Sequence, residues 1–221
     1  MFLATYLIGF RFVTPVIAIL CAALAIVSLA YAVRSKLPIL RRIVLESLPI
    51  LVLAGAVDLL AGLTIEKRLE SFLTFPALFV LVPAFLEDSG SLGAILAARI
   101  STKLHLGMLE PGRGAWWAAI DDVMLIYMYA IPVFVFLGTS SIIVAHVAQK
   151  ASPGALDMMG VALLAGFMAT TASVVVGFYA AVATYRFGLD PDNHGVPMVT
   201  SSLDLLGALS LILAIVILGL G

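Results

Sequence analysis

Six runs of apolar sequence, each long enough to cross a bilayer, constrain this chain more than anything else in it. They cover residues 12–33, 43–65, 72–101, 115–144, 155–185 and 195–221. The hydrocarbon core of a bilayer is about 30 Å thick, and a helix needs about 20 apolar residues to cross it. Inside lipid the backbone must satisfy its own hydrogen bonds, which a run of this length does as a helix. The fold class read from the sequence is therefore all-α: a polytopic membrane protein with about six transmembrane helices. Composition agrees, with 63% of the 221 residues hydrophobic and 11% charged, against about 45–50% and about 25% in a soluble domain. A net charge of −1 gives no sign of a nucleic-acid partner. The single Cys21 excludes an internal disulfide and a cysteine-based metal cluster. No stretch is long enough for a soluble domain, and no low-complexity linker is present.

The first run has a rival reading, because Ala30-Tyr31-Ala32 resembles a signal-peptidase site. Cleavage there would leave Arg34, Lys36, Arg41 and Arg42 outside the cell, against the positive-inside rule. The expectation is an uncleaved helix. The same rule orients the rest. Arg34, Lys36, Arg41, Arg42, Arg99, Lys103, Arg113 and Arg186 fall on one side, and Arg11, Lys67, Arg68 and Lys150 on the other. Eight against four puts both termini outside and the basic connections at 34–42 and 99–113 inside.

Against this background the acids inside the runs stand out. An ionised carboxylate near a bilayer centre costs at least roughly 2.5–3.5 kcal/mol and normally faces a partner or a watery path. Asp204 sits in the sixth run, after the polar turn Asp190-Pro191-Asp192-Asn193. On a helix Pro197, Thr200, Ser201, Asp204, Gly207 and Ala208 share one small, polar face, with Val199, Leu203, Leu206 and Leu213 opposite. Such a face either seals helices or lines a site. At 1.5 Å per residue, Asp204 lies about 13 Å in from the inside, and Asp88 of the third run about 24 Å from the outside. Both fall in the inner half of the membrane and can share one site. Asp58, in the second run, counts as closer to the outside, where a protonated or paired acid is the competing reading.

The third run carries Pro83, which removes a backbone donor and kinks a helix, and then Glu87-Asp88-Ser89-Gly90-Ser91, read as an interruption. Carbonyls freed at this depth are tolerated only where they are buried or line a cavity. Glu87 and Asp88 are adjacent, so an intact helix cannot aim both at one point; Glu87 reads as paired or protonated. Gly90, Ala94 and Ala98 recur at four-residue spacing, which allows close helix approach, and Gly166, Thr170, Ser173 and Gly177 form a second small stripe. Carboxylates, hydroxyls and free carbonyls are hard ligands that suit Mg²⁺, Ca²⁺ or Mn²⁺. There is no HExxH, Walker or GxSxG motif, and His105, His146 and His194 are scattered near run ends and read as solvated. An intramembrane aspartyl protease is disfavoured because no GxGD occurs. A non-transporting membrane anchor or assembly subunit is the remaining alternative to transport.

Two motifs in order carry a resemblance. The first is Leu81-Val82-Pro83-Ala84 with Gly90 and Ala97-Ala98-Arg99-Ile100-Ser101-Thr102; the second is Leu189-Asp190-Pro191-Asp192-Asn193 with Pro197, Thr200-Ser201 and Asp204-Leu205-Leu206. They resemble the membrane domain of the MgtE magnesium transporters and the related solute carrier family 41, over about residues 43–221. Asp58 falls where the carrier family tends to have an acid. The resemblance implies a five-helix core at 43–221, with residues 1–34 an extra N-terminal helix. It implies Mg²⁺ transport, without enzymatic activity, through a pore at a two-fold axis lined by the third and sixth runs. Asp204 is implied as the central ligand, largely through water. Thr200, Ser201, Asp88, Gly90, Ser91 and Asp58 are the further candidate metal-site residues. Ser91 stands where the family usually has Asn, and the cytosolic regulatory domains of the bacterial proteins are absent from this sequence. One chain supplies half a pore, so the expected partners are the cation, the lipid bilayer, and a second copy or a related half in a heterodimer. The expected location is the cell membrane.

Overall fold

A computed structural model describes residues 13–112 and 114–220. Phe12, Arg11, Arg113 and Gly221, used above to bound runs and to count charges, lie outside the described residues. All the regular structure described is helical: α1 (Val13–Arg34), α2 (Pro38–Glu66), α3 (Leu69–Thr74), α4 (Leu78–His105), α5 (Ala115–Ala118), α6 (Ile120–Val147), α7 (Ala155–Phe187), a π-helical turn (Pro191–Gly195) and α8 (Val196–Ile217). Six helical segments are long and apolar enough to span a membrane, and the protein is an integral membrane protein. The chain divides into two compact units, 1–49 and 50–221.

In the first unit, α1 runs 22 residues without a charge until Arg34 closes it. A three-residue turn follows, and Pro38, which lacks a donor, opens α2 at a position where none is needed. None of the described side chains of α1 is buried within the unit.

The second unit is built on α4, α7 and α8, which pack against one another, with α6 against α4 and α7. The core is apolar and dense at its largest side chains: Phe85, Leu96, Ile100, Met158, Leu203 and Leu211 are all less than 2% exposed. Small residues set how closely the helices meet. A Cβ at Gly177 of α7 would lie 2.6 Å from the carbonyl oxygen of Gly93 on α4, so only glycine permits this crossing. The stripe Gly166, Thr170, Ser173 and Gly177 is buried throughout. On α4 the buried small residues are Ser89, Gly90, Gly93, Ala97 and Ser101, whereas of the stripe at four-residue spacing Ala94 is half-buried and Ala98 exposed. The portion of α2 within this unit docks by a thin line, with Ala54 and Ala61 buried and Ile65 against the core.

Helix boundaries differ from the expected runs where proline or a polar cap intervenes. The third run begins at Leu78, because Pro76 disfavours helical geometry in the residue before it and splits off α3. Phe72 is nevertheless fully buried and packs on Phe79 with ring centroids 4.8 Å apart. Contrary to the expected interruption, α4 is continuous through Pro83 and through residues 87–91. The buried Ser89 hydroxyl donates to Phe85 O at 2.7 Å, and Ser173 of α7 donates to Ser89 O at 2.9 Å. Ser89 is thus satisfied without unwinding. The turn before α8 is a single π-helical turn. The Asp190 carboxylate caps it, accepting from the N–H groups of Asp192 (2.9 Å) and Asn193 (3.3 Å).

Candidate functional site

The sixth run fixes Asp204 in the third turn of α8, half-buried, four residues beyond Thr200. Its charged neighbours are Asp58 of α2, close enough to share a hydrogen bond, and Glu87 of α4. Carboxylates from three helices are thus near enough to act on one another electrostatically. Among the described residues none of them forms an ion pair with Lys, Arg or His. Asp58 reaches the bundle because it lies between Ala54 and Ala61 at helical spacing, on the line by which α2 docks. The sequence reading placed Asp58 closer to the outside, and this is corrected. Helix α2 has 29 residues, about 44 Å, some 13 Å more than a bilayer core. Glu87 is the second correction. It is exposed on α4 and is the acid of this pair that neighbours Asp204, whereas Asp88 is half-buried beside Glu87.

The other candidates divide. Gly90 lies directly under α8: a Cβ there would sit 3.6 Å from Thr200 Cα, an ordinary contact. Thr200 turns its hydroxyl back to its own helix, 3.2 Å from both Val196 O and Pro197 O. Ser201 is buried, and Ser91 is half-buried one position beyond Gly90. On the face read as greasy, Val199 and Leu203 are fully buried against the bundle rather than facing lipid, while Leu213 is exposed. Their place follows from Gly93, which leaves room for both: a Cβ there would meet Leu203 and Val199. Among the described residues no group of three His, Cys, Asp or Glu side chains is arranged to chelate one ion.

A second charged cluster closes the other end of α4. Asp122, in the first turn of α6, is 1% exposed. It accepts from Arg99 Nε at 2.9 Å and Nη2 at 2.8 Å, and from Lys103 Nζ. Arg99 and Lys103 were read as part of a basic connection; they are helical, one turn apart, and grip one carboxylate. Their i, i+4 spacing and the Asp121-Asp122 pair were the available signal. Nearby, His105 Nδ1 lies 2.8 Å from Ser101 O, and its ring meets Tyr185 edge-on at 5.1 Å. Arg186 donates to Pro111 O at 3.0 Å, tying the connection between α4 and α5 to the end of α7. His194, read as solvated, has its Nδ1 shielded and without a hydrogen-bond partner among the described residues.

Known proteins with the same sequence pattern narrow the chemistry. The family model MgtE, described as divalent cation transporter, matches residues 82–214. That span holds Glu87, Gly90 and Asp204, and it leaves out α1, α2 and Asp58. Among curated proteins, solute carrier family 41 member 2 of Homo sapiens is 25% identical over 158 residues, covering 70% of this chain and 28% of the relative. The Gallus gallus protein of the same name is 24% identical over the same length. Solute carrier family 41 member 3 of Rattus norvegicus is 27% identical over 173 residues, covering 72% of this chain and 35% of the relative. The chain thus spans about a third, or less, of the length of these relatives. No solved structure matches it. With the family model covering well over half of the sequence and a six-span helical fold beneath it, the chain belongs to the MgtE family of divalent cation transporters.

Proposed function

We propose that this chain carries Mg²⁺ across the cell membrane, with Asp204 as the central ligand of the ion's path. One observation carries the reading: Asp58, Glu87 and Asp204, on three membrane-spanning helices, are electrostatic neighbours and form no ion pair with a basic residue among the described residues. Uncompensated carboxylates at that depth face a cation or a watery path. Mg²⁺ dehydrates reluctantly and is bound through one or two carboxylates and several waters. A site with no close three-ligand cage among the described residues fits such a hydrated ion better than a fully dehydrated one. Thr200 and Ser201 stand within one turn of Asp204 and offer oxygens toward its hydration shell; Asp88, Gly90 and Ser91 supply the facing wall of α4. Asp58 and Glu87 are exposed and Asp204 half-buried in one copy of the chain, which supports a pore completed by a second copy across a two-fold axis. A related chain in a heterodimer would serve the same geometry. Like charges facing across that axis repel unless a cation lies between them. The activity is transport, with no catalytic step.

The test is Asp204→Asn, which keeps the shape and removes the charge. Mg²⁺ uptake into liposomes should collapse, and Mg²⁺ should cease to raise the unfolding temperature of the detergent-solubilised protein. Binding to the folded state alone is worth about 2.7 kcal/mol at a hundredfold excess over Kd, so the loss is measurable. Asp204→Glu should retain part of both. An Asp204→Asn protein that transports normally and is still stabilised by Mg²⁺ would overturn the assignment and favour the anchor alternative.

A further inference from the structure

The turn between α1 and α2 holds a feature outside the region matched by the family model. Four cations, Arg34, Lys36, Arg41 and Arg42, fall within nine residues, and Glu46 is the one carboxylate in the stretch 34–46. Four against one leaves a charge of +3. Glu46 is already engaged, accepting from Arg42 Nε at 2.7 Å. Arg34, Lys36 and Arg41 make no ion pair among the described residues. Lys36, Arg41, Arg42 and Glu46 line an open cleft of about 670 Å³, with Ser35 and Leu45 completing its wall. The cleft is held in shape locally: Ser35 Oγ accepts from Leu37 N–H at 3.2 Å, and Arg41 N–H donates to Leu37 O at 3.2 Å.

Depth fixes what can enter it. Helix α2 exceeds the hydrocarbon core by some 13 Å, about nine residues. Arg41, Arg42 and Glu46 lie within its first nine residues, 38–46, and charged side chains are costly in hydrocarbon, so the excess belongs at this end, in the headgroup layer. Arg34 ends the apolar α1 three residues before α2 begins, which places it at the same level. Around the cations Leu37, Ile39 and Ile43 are exposed, with relative exposures of 64%, 74% and 43%. Such side chains belong at an acyl boundary rather than in bulk water. Guanidinium and ammonium groups suit phosphate oxygens, and the inner leaflet, where the positive-inside rule puts this turn, carries the anionic lipid. We infer that the cleft formed by Lys36, Arg41 and Arg42 at the α1–α2 turn is a binding site for the headgroup of an anionic phospholipid.

The experiment uses the purified full chain in neutral detergent, with phosphatidylglycerol or phosphatidylcholine titrated in and retained lipid counted by native mass spectrometry. The wild type should retain phosphatidylglycerol and shed phosphatidylcholine. Each cation near a lipid surface accounts for roughly a fivefold change in affinity, so Lys36→Gln with Arg41→Gln should bind phosphatidylglycerol roughly 30-fold more weakly. Both side chains are exposed and unpaired, so the double variant should unfold at the wild-type temperature. Lys67→Gln with Arg68→Gln, which removes equal charge at the far end of α2, should bind as the wild type does. Equal loss in both double variants, or loss in neither, would overturn the site. Displacement of the lipid by millimolar inorganic phosphate would show a free-anion site and also overturn it.

Discussion

The crossing of α4 and α7 invites a quantitative test, because the structure separates two glycines that sequence reading treats alike. At Gly177 a Cβ would stand 2.6 Å from Gly93 O, whereas ordinary contact begins at 3.4 Å, so alanine forces the helices about 0.8 Å apart. The obstacle is backbone and cannot rotate away. A gap of that size forfeits roughly a quarter to a half of each dispersion contact along the seam, and overpacking of this kind costs about 1–3 kcal/mol. It also disturbs the bond from Ser173 to Ser89 O, one turn away. At Gly90 the same added carbon would lie 3.6 Å from Thr200 Cα and 3.7 Å from its side chain, in ordinary contact. Gly177→Ala should therefore lower the unfolding temperature in detergent by roughly 2–10 °C and reduce Mg²⁺ flux, because Glu87 rides on the displaced α4 and shifts relative to Asp204 on α8. Gly90→Ala should match the wild type in both measurements, while Gly90→Leu, too long for the gap against Thr200, should insert and fail to transport. Wild-type stability in Gly177→Ala, or equal damage from Gly90→Ala, would refute the reasoning that the Gly93–Gly177 approach sets the helix spacing.

Further expectations concern charge and orientation. Asp122→Asn should destabilise the protein by about 1–3 kcal/mol, read from thermal unfolding. Removing one partner of a buried pair costs about 3–5 kcal/mol, less here because Arg99 and Lys103 are 43% and 29% exposed and can turn to water. Asp58→Asn should weaken stabilisation by Mg²⁺ without lowering the unfolding temperature of the ion-free protein, since it removes like-charge repulsion beside Asp204; an unchanged response to Mg²⁺ would place Asp58 outside the site. Single cysteines at Ser35 and Gly112, in a background lacking the exposed Cys21, should resist an impermeant reagent in intact cells, and labelling at both would reverse the topology.

How much of this could be read from the residues depended on the kind of signal. The spans were legible because each is a long apolar run, and their number and order follow from length alone. Their ends were not, because Pro76 and the cap at Asp190 act within one or two residues. Asp204 announced itself as a carboxylate in an apolar run. Its companions did not. Asp58 and Glu87 are neighbours of Asp204 only through the docking of α2 and the register of α4 against α8, and both are tertiary facts. Depth counted from the edge of an apolar run did not anticipate that Asp58 neighbours Asp204. What the apolar Val199–Leu203 face packs against was not legible either: in a membrane, apolar side chains are equally at home against lipid and against a glycine on the next helix. The Arg99–Asp122–Lys103 cluster was visible as charges but not as a unit, since its members are 19 and 23 residues apart.

The contact between Gly93 and Gly177 is a backbone-to-backbone touch at a single point along a 28-residue rod. Glu87 lies six residues to one side of it and Arg99 six residues to the other, each about 9 Å away along the axis. A rigid tilt of α4 about that point by about 6° would carry the two ends about 1 Å in opposite directions. The arms are equal, so movement at the carboxylates is matched by movement where Arg99 and Lys103 hold Asp122. The grip on Asp122 thus ties α4 to α6 on the side of that contact away from Glu87.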